Sequence, residues 1–163
     1  YVVGTQALYL SAIYTQSNHL EQIRPIIDRI RDISGETASF FVEEDSMRIC
    51  LYRAHSRDEL RHNIEQGSRL ELNRGASGRI ILAFGKRKND KQGFYKDIRD
   101  KGYYLSINEH NASLFALAMP VISNSNKFVG AVVVSGPISR FDGDQKLTLL
   151  SLLTDQLQNI VMP

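Results

Sequence analysis

The sequence predicts an α+β fold, an antiparallel sheet with helices packed on it. Three observations carry that expectation. Apolar residues recur at three- and four-residue steps near the start of the chain and again near its end. Two pairs of β-rich runs, within 37–54 and 114–135, are each interrupted by a short polar stretch of hairpin length. The resulting order of helix, hairpin, helices, hairpin and closing helix suits an antiparallel sheet covered by helices.

Residues 5–34 read as helix in two pieces. In the second, Leu20, Ile23, Ile26, Ile27, Ile30 and Ile33 form an apolar stripe, Asn18 with Glu21 makes a capping box, and Gly35 stops the helix. Pro25 removes a backbone donor and crowds the preceding turn, so a kink or a fresh helix start with Pro25 in its first turn is expected. Runs Thr37 to Glu43 and Met47 to Ala54 then form a hairpin around Glu44, Asp45 and Ser46. Strict alternation puts Ile49, Leu51 and Arg53 on one face of the second strand and Cys50, Tyr52 and Ala54 on the other.

A third extended stretch is expected around Arg57 to Ile64. Residues 65–73 lead through Gly67 to a helix that opens at Gly75, Ala76 and Ser77 and closes at Gly85. The "KRKNDKQ" loop precedes a short helix over Phe94 to Lys101, ended by Gly102, and the strand "YYLSI". Strands Leu114 to Ile122 and Lys127 to Ser135 flank "SNSN", a tight reversal. Asp142 with Gln145 caps a last helix through Val161, with Leu149, Leu150, Leu153, Leu157, Ile160 and Val161 on its buried side.

Composition sets outer bounds. A chain of 163 residues fits one domain, and 42% hydrophobic with 23% charged residues is ordinary for a folded globular protein. A net charge of +2 is no nucleic-acid footprint. One cysteine, Cys50, permits no internal disulfide and suits a reducing cytoplasm, and the apolar runs are too short to cross a bilayer. The chain opens on Tyr1, which suggests a piece of a longer protein.

Catalytic readings find little to work with. The four histidines, His19, His55, His62 and His110, sit in no recognisable signature. Cys50 lies mid-strand among apolar neighbours and reads as a buried, inert thiol. Cys50, His55 and His62 lack the paired spacing zinc requires, so no metal and no cofactor are expected. "GASGR" superficially matches the phosphate-clamping loop of KH domains, but the basic cluster of 86–91 lies past the far end of the helix. The same turn also suits a small ligand: a helix start offers unpaired amides and partial positive charge, and Gly75, Ala76 and Ser77 let a carboxylate approach. Ala116, Ala118 and Val133 would leave room opposite it, and Ser135 in "VVVSGP" would orient a guest. Against this, small strand residues also suit helix packing, and Gly136 with Pro137 can simply end a strand.

Taken in order and spacing, "GETASFFV", "ICLYRAHS", "GASGRIILAF", "DIRDKGYYLSINEHNASLFALAMPVI" and "GAVVVSGPISRF" resemble the effector-binding domain of IclR-type transcriptional regulators, from about Ile23 to the C-terminus. The resemblance implies a GAF-like antiparallel sheet flanked by helices, with helices on one side and loops over a pocket, preceded by an N-terminal linker helix. It divides the chain into residues 1–17, the end of a DNA-binding domain's wing and the linker helix, and residues 18–163, the effector-binding domain. It implies a cytoplasmic sensor that binds a small organic acid, forms a homodimer or homotetramer, and meets operator DNA only through an N-terminal domain outside this chain.

Carried over by motif, the ligand-binding positions fall at Ala76, Ser77, Ser106, Ala116, Val133 and Ser135. Family members that bind very small acids tend to have an acidic residue, a cysteine and two serines at the last four positions; this chain keeps only Ser135 of that set. The resemblance therefore implies a roomier, less polar pocket and a larger effector such as an aromatic acid. Whether Arg53, His55 or Arg61 reach it is not fixed by the sequence. A small cytoplasmic enzyme with a GAF-like pocket, using His110, Glu109 or Ser135, and a dimerisation module with a vestigial pocket are the other readings.

Overall fold

A computed structural model describes residues 4–17, 19–58, 64–85, 93–109, 112–158 and 160. Helix α1 spans Thr5–Ser17 and α2 Leu20–Ser34. Pro25 does not open a helix: α2 begins at Leu20, behind His19 in a left-handed conformation with φ 57°, and Pro25 falls inside it. His19 supplies no side-chain cap, and Asn18 lies outside the described residues. Leu20, Ile23, Ile27 and Ile30 are buried, but Ile33 is 58% exposed, because it falls beside the narrow stripe that faces the sheet. Gly35, at φ 74°, ends the helix as expected, its amide donating to the Arg31 carbonyl.

Strands β1 (Thr37–Glu44) and β2 (Met47–Ala54) form the first hairpin, turned by Asp45 and Ser46, both at positive φ as a two-residue reversal demands. Of the stretch 57–64 only residues 57, 58 and 64 are described, and none of them is in a strand. β3 is Arg69–Glu71, paired with Met47–Ile49, while residues 59–63 lie outside the described set. Helices α3 (Gly75–Phe84) and α4 (Phe94–Lys101) follow, then β4 (Tyr104–Ile107), β5 (Leu114–Ile122), β6 (Phe128–Pro137) and α5 (Gly143–Gln158). The Asp142 carboxylate caps α5 by accepting from the Gln145 amide at 2.7 Å.

The six strands form one antiparallel sheet in the order β3-β2-β1-β6-β5-β4. Pairing of β1 with β6 joins the two hairpins, and alternation then sorts their side chains. Val132, Val134, Phe115 and Leu117 point toward α2 and α5, where Ile23, Ile27, Ile30, Leu149 and Leu153 complete one core. Ala131, Val133 and Ala118 point the other way, under Ala76, Ile80 and Ile81 of α3. Helices therefore cover both faces, not one. The small residues serve both purposes weighed from sequence: Ala118 and Ala131 let α3 approach the sheet, and Ala116 and Val133 leave space beyond its tip.

Strand β2 departs from strict alternation. Phe40 pairs with Tyr52 and Phe41 with Cys50, so Leu51 is an extra residue in a bulge. Past it the faces exchange. Ile49, Leu51, Tyr52 and Ala54 pack toward α2 and α5, while Arg48, Cys50 and Arg53 face α3. The expected grouping of Arg53 with Ile49 and Leu51 is overturned by this one residue.

Candidate functional site

Where the tip of α3 stops short of the sheet, a cavity of about 470 Å³, counting its open mouth, remains. Its floor follows from register. Ser106 of β4, Ala116 of β5 and Ser135 of β6 lie in one cross-strand row, and Val133 of β6, Ser39 of β1 and Arg53 of β2 lie in the next. Its roof is the first turn of α3, with Ala76 and Ser77 buried at 2% and 1% exposure. All six residues singled out from the sequence line this cavity.

The roof is held open by backbone. Arg74 is extended and Gly75 sits at φ 75°, so the chain turns sharply into α3; a β-carbon on Gly75 would lie 3.3 Å from Arg48 Nη2. Among the described residues no side chain caps this helix, and the Ser77 hydroxyl instead accepts from Arg48 Nη1. The first-turn amides therefore keep their donor capacity and partial positive charge beside the cavity. Ser106 and Ser135 are 3% and 4% exposed, and neither hydroxyl bonds to protein among the described residues.

Sequence reasoning missed Arg48 and left open whether Arg53 reaches the cavity; the structure brings both to it. Arg48 and Arg53 both line the cavity, at 4% and 7% exposure, and no carboxylate lines it among the described residues. The two arginines add positive charge to one part of the lining, while Phe41, Ile64, Leu114, Phe115, Ala116 and Val133 keep most of its wall apolar. Burial lowers both guanidiniums, Arg48 to about 10, still well above neutral pH. An anion entering the cavity would offset that desolvation. His55 is not among the lining residues, and Arg61 lies outside the described set. The signal that could have found Arg48 is its spacing from Cys50 on one strand face; nothing in the residue pattern announces the bulge that brings Arg53 alongside.

Cys50 lies fully buried on the same face of β2, and burial pushes its thiol up to about 11 although Arg53 and Arg48 pull it down. The folded chain thus holds this proton more tightly than the unfolded chain, where the thiol titrates near 9.0. The resulting stability is complete below that value and is lost as pH rises from about 9 to about 11. Near pH 8, iodoacetamide should label Cys50 only as fast as the chain unfolds. Rapid labelling of the native protein would contradict its burial.

Glu109 stands apart from the cavity. It accepts a 2.6 Å hydrogen bond from the Tyr104 hydroxyl and lies 4.0 Å from Arg79 Nε, tying β4 to α3. Burial and this bond push Tyr104 up to about 12. His110, His62 and the 86–92 loop lie outside the described residues, among which no group of three candidate ligands could hold a metal ion. Nor is any described helix long and apolar enough to cross a membrane.

The family model described as "Bacterial transcriptional regulator IclR C-terminal" matches residues 12–96 and 90–162. The HTH-type transcriptional regulator BhcR of Paracoccus denitrificans is 23% identical over 163 aligned residues, 86% of this chain and 58% of that protein. The HTH-type transcriptional repressor AllR of Escherichia coli is 23% identical over 181, covering 97% and 67%. This chain therefore spans roughly three-fifths to two-thirds of the curated relatives it matches. Among solved structures, the IclR of Thermotoga maritima superposes with a TM-score of 0.81 over 97% of this chain and 73% of that one, at 16% identity, a likeness of fold. The matched family and relatives are transcriptional regulators, not enzymes.

Proposed function

This chain belongs to the IclR family of bacterial transcriptional regulators, and from that premise we propose that residues 18–163 are a cytoplasmic sensor for a small organic acid. One observation carries the reading. A helix tip with uncapped amides and a buried guanidinium faces, across a cavity, two serine hydroxyls that make no hydrogen bond to the described protein. The acid's carboxylate sits against Ala76, Ser77 and Arg48, and Ser106 and Ser135 orient the rest. Phe41, Ile64, Leu114 and Val133 offer apolar wall to a carbon skeleton, aliphatic or aromatic.

Residues 1–17 lead in from a DNA-binding segment that precedes this chain, and operator contact belongs to that segment. The sensor assembles as a homodimer or homotetramer, a reading supported by Leu10 and Ile13, which α1 leaves 65% and 47% exposed. An effector shifts the balance between two arrangements of such an assembly only by the difference in its affinity for them.

A thermal-shift screen of carboxylic acids tests the sensor. An acid present at about a hundred times its dissociation constant should stabilise the fold by about 2.7 kcal/mol. Ser135→Ala should weaken that acid about two- to tenfold, the value of one neutral hydrogen bond. If no acid shifts the melting temperature in a broad screen, a vestigial pocket in a dimerisation module becomes the better description.

A further inference from the structure

Arg48 and Arg53 are five positions apart on β2, and on a regular strand side chains at that separation point to opposite faces. The bulge at Leu51 brings both to one cavity. They are held by different partners. Arg48 Nε donates to the Glu71 carbonyl at 3.0 Å and Nη1 to the Ser77 hydroxyl, which pins the guanidinium beneath the tip of α3 and leaves Nη2 without an acceptor among the described residues. Arg53 Nη1 donates to the Ser39 hydroxyl at 3.1 Å, in the row that continues through Val133 on the floor. Separate anchors thus hold the two cations on different parts of the lining, Arg48 at the roof and Arg53 at the floor. An acid with a single carboxylate, seated at the helix tip, engages Arg48 and leaves Arg53 to the rest of the ligand.

We propose that this cavity selects an organic diacid, one carboxylate held by Arg48 and the α3 amides and the other by Arg53 and Ser39. The selection rests on the reading of the cavity as an organic-acid site and adds the number of acidic groups. Guanidinium forks bind carboxylates through paired, charge-assisted hydrogen bonds, so the second arginine converts a second carboxylate into affinity and rejects an apolar end.

Isothermal titration can separate the two levels. Succinate, glutarate, adipate and the benzenedicarboxylates are titrated against butyrate, valerate, hexanoate and benzoate. The best diacid should bind at least about a hundredfold more tightly than the monoacid of the same skeleton, as expected of a second charge-assisted contact. Arg53→Gln should weaken the diacids far more than the monoacids and so erase the preference, whereas Arg48→Gln should weaken both classes alike. Should Arg53→Gln fail to give the wild-type circular dichroism spectrum, Arg53→Lys keeps the charge, loses the fork, and should retain only part of the preference. Equal affinity for paired monoacids and diacids, or an equal loss of both in the Arg53 variant, overturns the diacid selection and spares the organic-acid site. Absence of binding by every acid overturns both.

Discussion

Gly78→Ala is expected to destabilise the fold by about 1–3 kcal/mol and to cost the cavity at least about tenfold in affinity for the proposed acid. A β-carbon there would run into the Leu72 carbonyl oxygen and lie 2.9 Å from its carbon and 3.2 Å from the Leu72 α-carbon. Those atoms are backbone, so no rotamer change relieves the contact. Leu72 is itself buried, and the segment between it and Gly78 contains Arg74, Gly75, Ala76 and Ser77, the turn and tip that aim the amides. Relief must come from tipping α3 or displacing the turn, and either moves the roof of the cavity. Gly143→Ala is the matched control. It opens α5 with nothing within 4 Å of a new β-carbon and should be neutral or stabilising by up to about 1 kcal/mol. Denaturant midpoints with unchanged slope would measure both; a Gly78 variant as stable as the parent would show that the close approach is not real.

Arg140→Ala should cost about 2–3 kcal/mol, less than the loss of a partner from a fully buried pair because a third of the Arg140 side chain meets water. Its Nε and Nη2 donate to Glu36 Oε1 and Oε2 at 2.7 and 2.8 Å, and Glu36 is 3% exposed. Without the guanidinium a carboxylate is stranded against the sheet. Its place is cleared by Gly136, where a β-carbon would collide with the Glu36 carboxylate. Adding Glu36→Gln to the Arg140 variant removes the stranded charge and should recover part of the loss, and a double-mutant cycle reads the coupling. A loss under about 0.5 kcal/mol for Arg140→Ala alone would reduce the pair to a surface contact.

The same pair explains the run "SGP" at the end of an apolar strand. Ser135 faces the cavity, Gly136 faces Glu36, and Pro137 closes a strand whose pairing continues to Leu114. From sequence the strand ended at Ser135, because glycine and proline are generic terminators and their partner, Glu36, lies far away in the chain. Elements specified by local chemistry were legible: the β1–β2 and β5–β6 hairpins, α4 between Gly93 and Gly102, and the Gly35 stop all depend on neighbours within a few residues. β3 was not, since three residues of alternation cannot be told from loop. Five of the six cavity positions are small or hydroxyl-bearing residues carried by motif, whereas Arg53 arrived by way of a bulge with no glycine or proline to mark it.

The seat of the anion can be observed directly through the amide resonances of Ala76 and Ser77 in a proton–nitrogen correlation spectrum during titration with succinate or benzoate. An acid held at the tip of α3 predicts saturable downfield shifts at these two amides, accompanied by changes at Ser106 and Ser135 and with the calorimetric dissociation constant, while α1 and the exposed face of α5 stay unchanged. Saturable shifts that cluster elsewhere, with Ala76 and Ser77 unmoved, would contradict it.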